Sequence, residues 1–256
     1  MEDKPKLASM REILYGRNAA RECLRARRRH IHKVMLADTI EPAAIIDEIL
    51  ALADQSKIPV QRVPRKTLDN LAKSHQGVAL EVGRYPTVAI EDILARAAKL
   101  NEPPFIVGLD HLEDPHNLGA ILRTAEVVGV HGLIIPKQRS ANVTPAVVNA
   151  SAGAAEHMGV AEVPNLVQAL IKLKQANVWL AGVEDTPASS LYSQADLTGA
   201  IAVVIGSEGK GMSRLVKETC DFLIKLPMRG YIESLNASVA GGLILYEVWR
   251  ARGFQK

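Results

Sequence analysis

The rhythm of apolar and polar positions changes near residue 84. Before it, short elements alternate. Residues 12–24 read as a short amphipathic helix entered near Tyr15-Gly16, and Val34–Ala37 as a short strand. After Glu41-Pro42, the apolar positions Ile45, Ile46, Ile49, Leu50 and Ala53 repeat at helical spacing, with the proline near the first turn. Pro59–Val63 alternates as a strand does, Leu68–Ala72 suits a helical turn, and Val78–Val82 reads as another strand. Together they predict an α/β unit of about 80 residues, a reasonable size for a small domain.

Residues 84–104 are bracketed by Tyr85-Pro86 and Pro103-Pro104, and Ile90–Leu100 carries Ile93, Leu94 and Ala97 on one helical face. That composition predicts a structured connector and not a flexible linker. From Phe105 onward, apolar strands alternate with amphipathic helices. Strands are predicted at Phe105–Leu109, Gly132–Ile135, Val178–Val183, Ala200–Ile205 and Phe222–Leu226. Helices are predicted at Asn117–Val128, Asn165–Gln175, Met212–Thr219 and Asn236–Ala251. Such alternation predicts a parallel sheet covered on both faces.

Charge separates the two parts. Residues 1–84 hold 16 Lys and Arg against 11 Asp and Glu, whereas the rest of the chain is slightly acidic. The excess is densest at Arg25, Arg27, Arg28, Arg29, His30, His32 and Lys33. By itself this run suits a solvated helix end. Beside the motifs below it becomes a candidate polyanion contact. The two cysteines, Cys23 and Cys220, lack C-x-x-C spacing, and the seven histidines show no metal-ligand spacing, so no metal site is expected. No signal-peptide core follows Met1, and no apolar run nears the ~20 residues of a membrane span. These features predict a cytoplasmic protein with no membrane segment.

Three stretches carry candidate chemistry. Asp114-Pro-His-Asn-Leu-Gly-Ala-Ile-Leu-Arg123 follows a strand and opens a helix, with Asn117 placed to cap it. Ile205-Gly-Ser-Glu-Gly-Lys-Gly-Met212 follows another strand; Gly206, Gly209 and Gly211 permit close ligand approach, and Glu208 lies at the carboxyl edge where open α/β sheets bind ligands. This loop is no phosphate-binding P-loop, because Val204 and Gly211 occupy positions that require Gly and Ser or Thr. A dinucleotide fingerprint also fails, since Arg214 stands at its third glycine. Leu226-Pro-Met-Arg-Gly-Tyr-Ile-Glu-Ser-Leu-Asn-Ala-Ser-Val239 runs from a strand to a helix whose N-cap is Ser234 or Asn236. Two glycines inside that last helix, Gly241 and Gly242, predict a backbone packed very close.

In this order, the three stretches resemble the motifs of the SpoU/TrmH family of RNA ribose methyltransferases, in the knotted SPOUT superfamily. Tyr15-Gly-Arg-Asn-Ala-Ala and His75-Gln-Gly-Val resemble the small RNA-binding domain of the 23S rRNA guanosine ribose methylases. The resemblance implies an α/β chain with a C-terminal, trefoil-knotted methyltransferase domain built on a parallel sheet, preceded by a small L30e-like α/β RNA-binding domain. It places RNA binding in residues 1–84, a linker in 85–103 and catalysis in 104–256. It implies S-adenosylmethionine as methyl donor, ribosomal RNA as partner and a homodimer. Catalytic positions fall on Asn117, Arg123, Glu208, Ser234 and Asn236, with Ser234 and Asn236 near Arg123. Cofactor contacts fall on Gly206, Leu226, Met228 and Leu235. Lys137, Arg139 and Ser140 are further candidates for the RNA backbone. A guanidinium keeps its proton up to a pH above ~12, so Arg123 suits a phosphate clamp that polarises the 2′-hydroxyl better than a literal base.

The implied substrate is a guanosine ribose in large-subunit rRNA. The alternatives are a tRNA guanosine, an adenosine ribose whose methylation confers antibiotic resistance, and a non-catalytic RNA-binding protein. The last would be expected to lack Arg123, Glu208 or Asn236, and all three are present.

Overall fold

A computed structural model describes residues 11–254, and in it the stretch read as one helix over 12–24 is two elements. Strand β1 (Glu12–Tyr15) precedes helix α1 (Arg17–Ala26). Gly16 separates them at φ 92°, a backbone angle that a helix cannot contain. Leu14 pairs with Leu80 in the sheet, and Ala19, Ala20, Cys23 and Leu24 form the buried stripe of α1.

The first unit continues with β2 (Ile31–Ala37), α2 (Ala44–Gln55), β3 (Val60–Val63), α3 (Arg65–Asp69) and β4 (Val78–Val82). Pro42 lies just before the N-cap of α2, Ala43, and so outside the helix. The sheet order is β1-β4-β2-β3, antiparallel except for the β2–β3 pair. This unit also contains Val143–His157, a segment from far along the chain, with helix α6 (Pro145–Ala150) and a 3-10 turn at Ala154–His157. The expected boundary at residue 84 did not foresee this. Asn149 Nδ2 donates to the Tyr15 carbonyl (3.0 Å), and His157 pairs with Glu22.

Much of the basic run is used inside this unit. Arg29 is buried, with its guanidinium on both Glu156 oxygens (Nη2–Oε1 2.7 Å, Nε–Oε2 3.1 Å) and on Glu12 (2.9 Å). Burial pushes the Glu156 carboxyl above its ordinary range, while Arg29 pulls it back down. Arg25 pairs with Glu48 and Glu22, and Arg28 reaches the Tyr85 hydroxyl. Arg27 and His30 are exposed.

The second unit begins with α4 (Ile90–Leu100). Ile90, Ile93 and Ala97 of this helix lie in the unit's own core, so the expected connector belongs to this unit. There follow β5 (Phe105–Leu109), α5 (Pro115–Val127), β6 (Gly132–Pro136), β7 (Val160–Val163), α7 (Leu166–Gln175), β8 (Trp179–Val183), β9 (Ser190–Leu191), β10 (Ile201–Ile205), α8 (Arg214–Thr219), β11 (Phe222–Lys225) and α9 (Ala237–Ala251). All seven strands are parallel, in the order β7-β6-β5-β10-β8-β11-β9. Central β5 and β10 are buried along their whole length, as expected of a sheet covered on both faces. Residues of α4, α7 and α8 share one core cluster. On α9, Gly241 meets the Ile205 side chain, where a Cβ would lie 2.7 Å from Ile205 Cδ1, and Gly242 has only ordinary contact with Thr124. The two glycines therefore admit side chains, not the close backbone predicted from them. No helix among the described residues is long and apolar enough to cross a membrane.

Candidate active site

Four chain segments leave the carboxyl ends of neighbouring strands: Asp110 after β5, Glu184 after β8, Gly206 after β10 and Leu226 after β11. This edge is where open parallel sheets place ligands. The loop after β10 folds back on itself, with Ser207 and Gly211 exchanging backbone hydrogen bonds of 3.1 and 3.0 Å. Gly206 makes that reversal possible, because a Cβ there would lie 2.2 Å from the Gly211 carbonyl carbon and 2.3 Å from the Met212 nitrogen. Gly211 needs its missing side chain twice over: its φ is +65°, and a Cβ would lie 2.7 Å from the Glu184 carboxylate.

Two acidic groups hold this loop, and the motif reading named neither. Glu184 accepts from the Met212 amide (3.0 Å) and from Lys217 Nζ (2.7 Å). Asp110, 1% exposed, accepts from the Ser213 amide (2.6 Å) and pairs with His111 Nδ1 (2.6 Å). Each directly follows an apolar strand, Phe-Ile-Val-Gly-Leu and Trp-Leu-Ala-Gly-Val. A carboxylate at the end of a buried strand was the signal available in the sequence.

At the centre, Glu208 receives two amide donors from remote parts of the chain. Asn117 Nδ2 donates to Glu208 Oε1 at 2.6 Å, and Asn236 Nδ2 donates to the same oxygen at 2.5 Å. Asn236 Nδ2 also reaches Asn117 Oδ1 at 3.0 Å. Asn117 is not the helix cap expected from its position. Asp114 caps α5 by accepting from the His116 amide (2.9 Å), which leaves Asn117 inside the first turn, buried and turned toward Glu208. Asn236 does cap α9, accepting from the Ser238 and Val239 amides, so one side chain starts the final helix and positions Glu208. Ser234 is exposed beside it and is not the cap.

A cavity of about 580 Å³ opens beside this junction. Its walls include Gly206, Glu208, Leu226, Met228, Ser234, Leu235 and Asn236, so all four expected cofactor positions border one space. Its volume lies in the range of small-molecule sites. Met228 and Leu235 expose apolar side chains to it, and among the described residues 227–235 no backbone group bonds another. Apolar walls beside free amides and carbonyls suit a flat heterocycle with polar edges. Glu184, Asp185, Glu208 and Glu233 border the same space; Lys217 pairs with Glu184 (2.7 Å) and Lys225 with Asp185 (2.9 Å), and the negative charge left on Glu208 and Glu233 favours a cationic centre in the ligand.

Arg123 stands apart. It is exposed on α5, and among the described residues it makes no hydrogen bond or ion pair, with Ser234 and Asn236 or otherwise. Six residues along a helix turn a side chain about 240°, so Arg123 leaves α5 on a different face from Asn117. Cys220 offers no nucleophile, because burial pushes its thiol up to about 12. No cluster of three or more His, Cys, Asp or Glu able to hold a metal occurs among the described residues.

Gly206→Ala overpacks the loop reversal and should destabilise the protein by about 1–3 kcal/mol in denaturant titration. An unchanged midpoint would show that the loop can open without cost.

Comparison with known proteins agrees with this architecture. The model of the SpoU rRNA Methylase family matches residues 104–246, and a model for RNA 2′-O ribose methyltransferase substrate binding matches residues 13–88. YacO of Bacillus subtilis, assigned as a TrmH family tRNA/rRNA methyltransferase, is 45% identical over 247 residues, covering 96% of this chain and 98% of its own. Among solved structures, the SpoU methyltransferase AviRb of Streptomyces viridochromogenes, crystallised with AdoMet, superimposes with a TM-score of 0.79 at 23% identity, over 96% of this chain and 92% of that one. The TrmH/SpoU tRNA modifying enzyme of A. aeolicus is 30% identical with a TM-score of 0.55, over 63% of this chain and 85% of its own.

Proposed function

This chain belongs to the SpoU family of RNA 2′-O-ribose methyltransferases, which draw their methyl group from S-adenosylmethionine, and we propose that its substrate is a guanosine ribose in large-subunit ribosomal RNA, methylated in the cytoplasm by a homodimer. The observation that carries the reading is the Glu208–Asn117–Asn236 junction on the wall of the 580 Å³ cavity.

S-adenosylmethionine, when bound, supplies an electrophilic methyl on a sulfonium. Leu226, Met228 and Leu235 would hold its adenosine part, using the free backbone of 227–235, and Gly206 leaves the loop close enough to touch it. Asn117 and Asn236 fix the Glu208 carboxylate at the edge of that space. Arg123 binds a phosphate next to the target ribose and polarises the 2′-hydroxyl through a charge-assisted hydrogen bond. Positioning of the two reactants provides much of the rate.

Because Arg123 lies on a different face of α5 from Asn117, the reading assigns it to the site of a second copy. Val239, Leu243 and Tyr246 recur along α9 at helical spacing, each about half exposed, and Val127 of the neighbouring α5 is exposed as well. This apolar stripe supports a homodimer.

Ribosomal RNA is preferred to tRNA because the substrate-binding match occupies residues 13–88, whereas the A. aeolicus tRNA modifying enzyme aligns with 63% of the chain. Arg27 and His30 give that unit exposed donors for phosphate contacts. Separate incubation of the protein with rRNA and with tRNA, both from a strain lacking ribose methylases, tests the choice. With tritiated S-adenosylmethionine, label is expected in large-subunit rRNA. Label in tRNA alone would overturn the substrate while leaving the chemistry in place.

A further inference from the structure

The free positive charge of the first unit lies away from the basic run. Within residues 25–33, Arg25 is matched by Glu48 and Glu22, Arg29 by Glu156 and Glu12, and Lys33 by Glu81. Arg28 donates to the Tyr85 hydroxyl and the Pro86 carbonyl. Of the lysines and arginines in that run, Arg27 alone has no side-chain partner among the described residues. Further along the chain, Arg62, Arg65, Lys66 and Lys73 are all exposed, and none of their side chains makes a hydrogen bond or ion pair among the described residues. We infer that this corner, running from the end of β3 through α3, is the surface with which the first unit grips the phosphate backbone of its RNA. The inference rests on the proposed RNA substrate and deepens it by naming the contact surface.

A paired cation must give up its carboxylate before it can take a phosphate, so the exchange gains little. A free, exposed cation releases only counterions from the nucleic acid. Two carboxylates accompany the four cations. The Asp38 amide donates to the Val63 carbonyl (2.9 Å), and Asp69 belongs to α3 itself. Four cations against two carboxylates leave a positive excess. Structural roles do not account for it. Charges blunt an edge strand, and β3 is one, but Arg65, Lys66 and Lys73 lie beyond its end. Arg65 and Lys66 occupy the first turn of α3, the end of a helix at which a cation gains nothing. Residues 57–77 contain no Phe, Tyr or Trp. The corner therefore offers charge without a stacking platform, which suits phosphates and not bases.

The fold holds these donors in place. Val63 and Leu68, which alternate with the cations along the chain, are buried in one cluster with Met35, Ala37 and Ala79. Buried His75 braces the corner from behind. Its Nδ1 accepts from the Gly77 amide (2.9 Å), so its Nε2 is the donor to Asp69 Oδ1 (2.8 Å). That pair ties the loop carrying Lys73 back to α3. Gly77 serves the same turn at φ +81°, where a Cβ would lie 2.9 Å from the Ile40 side chain. Backbone fixed in this way leaves less to be ordered when RNA binds.

The test is the triple variant Arg62→Gln/Arg65→Gln/Lys66→Gln, titrated at several salt concentrations with large-subunit rRNA and with tRNA, both from a strain lacking ribose methylases. Affinity for the RNA that the parent binds should fall by roughly 10-fold or more, and the log–log salt slope should shrink by about 2 to 3. Melting temperature and S-adenosylmethionine affinity, the latter by calorimetry, should not change. Arg62→Lys/Arg65→Lys keeps the charge and should keep the parent's salt slope. RNA affinity of the triple variant within about twofold of the parent would overturn the assignment. So would a lysine variant that loses affinity as the glutamine variant does, because shape and not charge would then be at work. A loss from Lys99→Gln, an exposed cation of α4, equal to that from Lys66→Gln would also overturn it, by reducing the effect to net charge. A parent that methylates tRNA alone would overturn the proposed substrate, and the variant's affinity for that tRNA would still decide the corner.

Discussion

Arg123→Ala should lower methyl transfer by roughly 10²–10³-fold, the usual cost of removing one donor aimed at charge that develops in a transition state. The cofactor should bind as before, because Arg123 is exposed on α5 and the cavity bounded by Leu226, Met228 and Leu235 does not include it. Stability should change little, since the side chain makes no ion pair or hydrogen bond among the described residues. Arg123→Lys should recover only part of the activity: an ammonium keeps the charge but loses the planar fork that grips a phosphate in two places. Activity within a few-fold of the parent in Arg123→Ala would remove Arg123 from the mechanism. Loss of cofactor binding by a folded variant would place it in the cofactor site. Coexpression with Asn236→Ala separates the subunit question, because a mixed dimer can retain one complete site only if Arg123 serves the partner.

The largest effect on stability is expected from Arg29. Its side chain is 1% exposed and that of Glu156 is fully buried. Arg29→Met leaves the Glu156 carboxylate buried without its counter-charge, which should cost about 3–5 kcal/mol. For a chain of this size the melting temperature should then fall by roughly 10 °C. Arg29→Met combined with Glu156→Leu should recover most of the loss, because the desolvation penalty disappears with the second charge. A single variant as stable as the double would show that the pair is not coupled. The same measurement separates the two uses of the basic run. Arg29 should affect folding, whereas Arg27, exposed on the same segment, should affect RNA affinity and its salt dependence.

What could be read from the sequence followed the strength of each local signal. Strands β4 and β5 and helix α4 carry dense apolar runs or clear helical spacing, and their limits match the expectation; β10 starts one residue later than expected, at Ile201. The errors have identifiable causes. Leu14 and the stripe of α1 looked like one helical face until Gly16, at φ 92°, divided them. Strand β7 is four residues at the sheet edge and gives almost no pattern, and α6 is a helix of only six residues. Arg29 looked like a surface cation because nothing local reveals Glu156, 127 positions away.

The site was legible as a list of residues but not as geometry. Asn117 stood where a cap belongs, and Asp114 does the capping, which frees Asn117 to hold Glu208. Gly206, Leu226, Met228 and Leu235 were grouped by resemblance, and the structure places all four around one cavity. Arg123 was grouped by resemblance with Asn117, Glu208, Ser234 and Asn236, and the structure leaves it exposed on α5, bonded to none of them. Asp110 and Glu184 were hidden for the opposite reason: each is one acidic residue after a strand, significant only once the β10 loop is seen resting on it.

The most direct test of the central claim is the identity of the methylated nucleoside. The protein is incubated with tritiated S-adenosylmethionine and total RNA from a strain lacking ribose methylases, and the large-subunit rRNA is then digested to nucleosides. The account predicts label in 2′-O-methylguanosine. Label in 2′-O-methyladenosine would contradict the assigned base, and label on a nucleobase, or in no RNA at all, would contradict the site built around Glu208, Asn117 and Asn236.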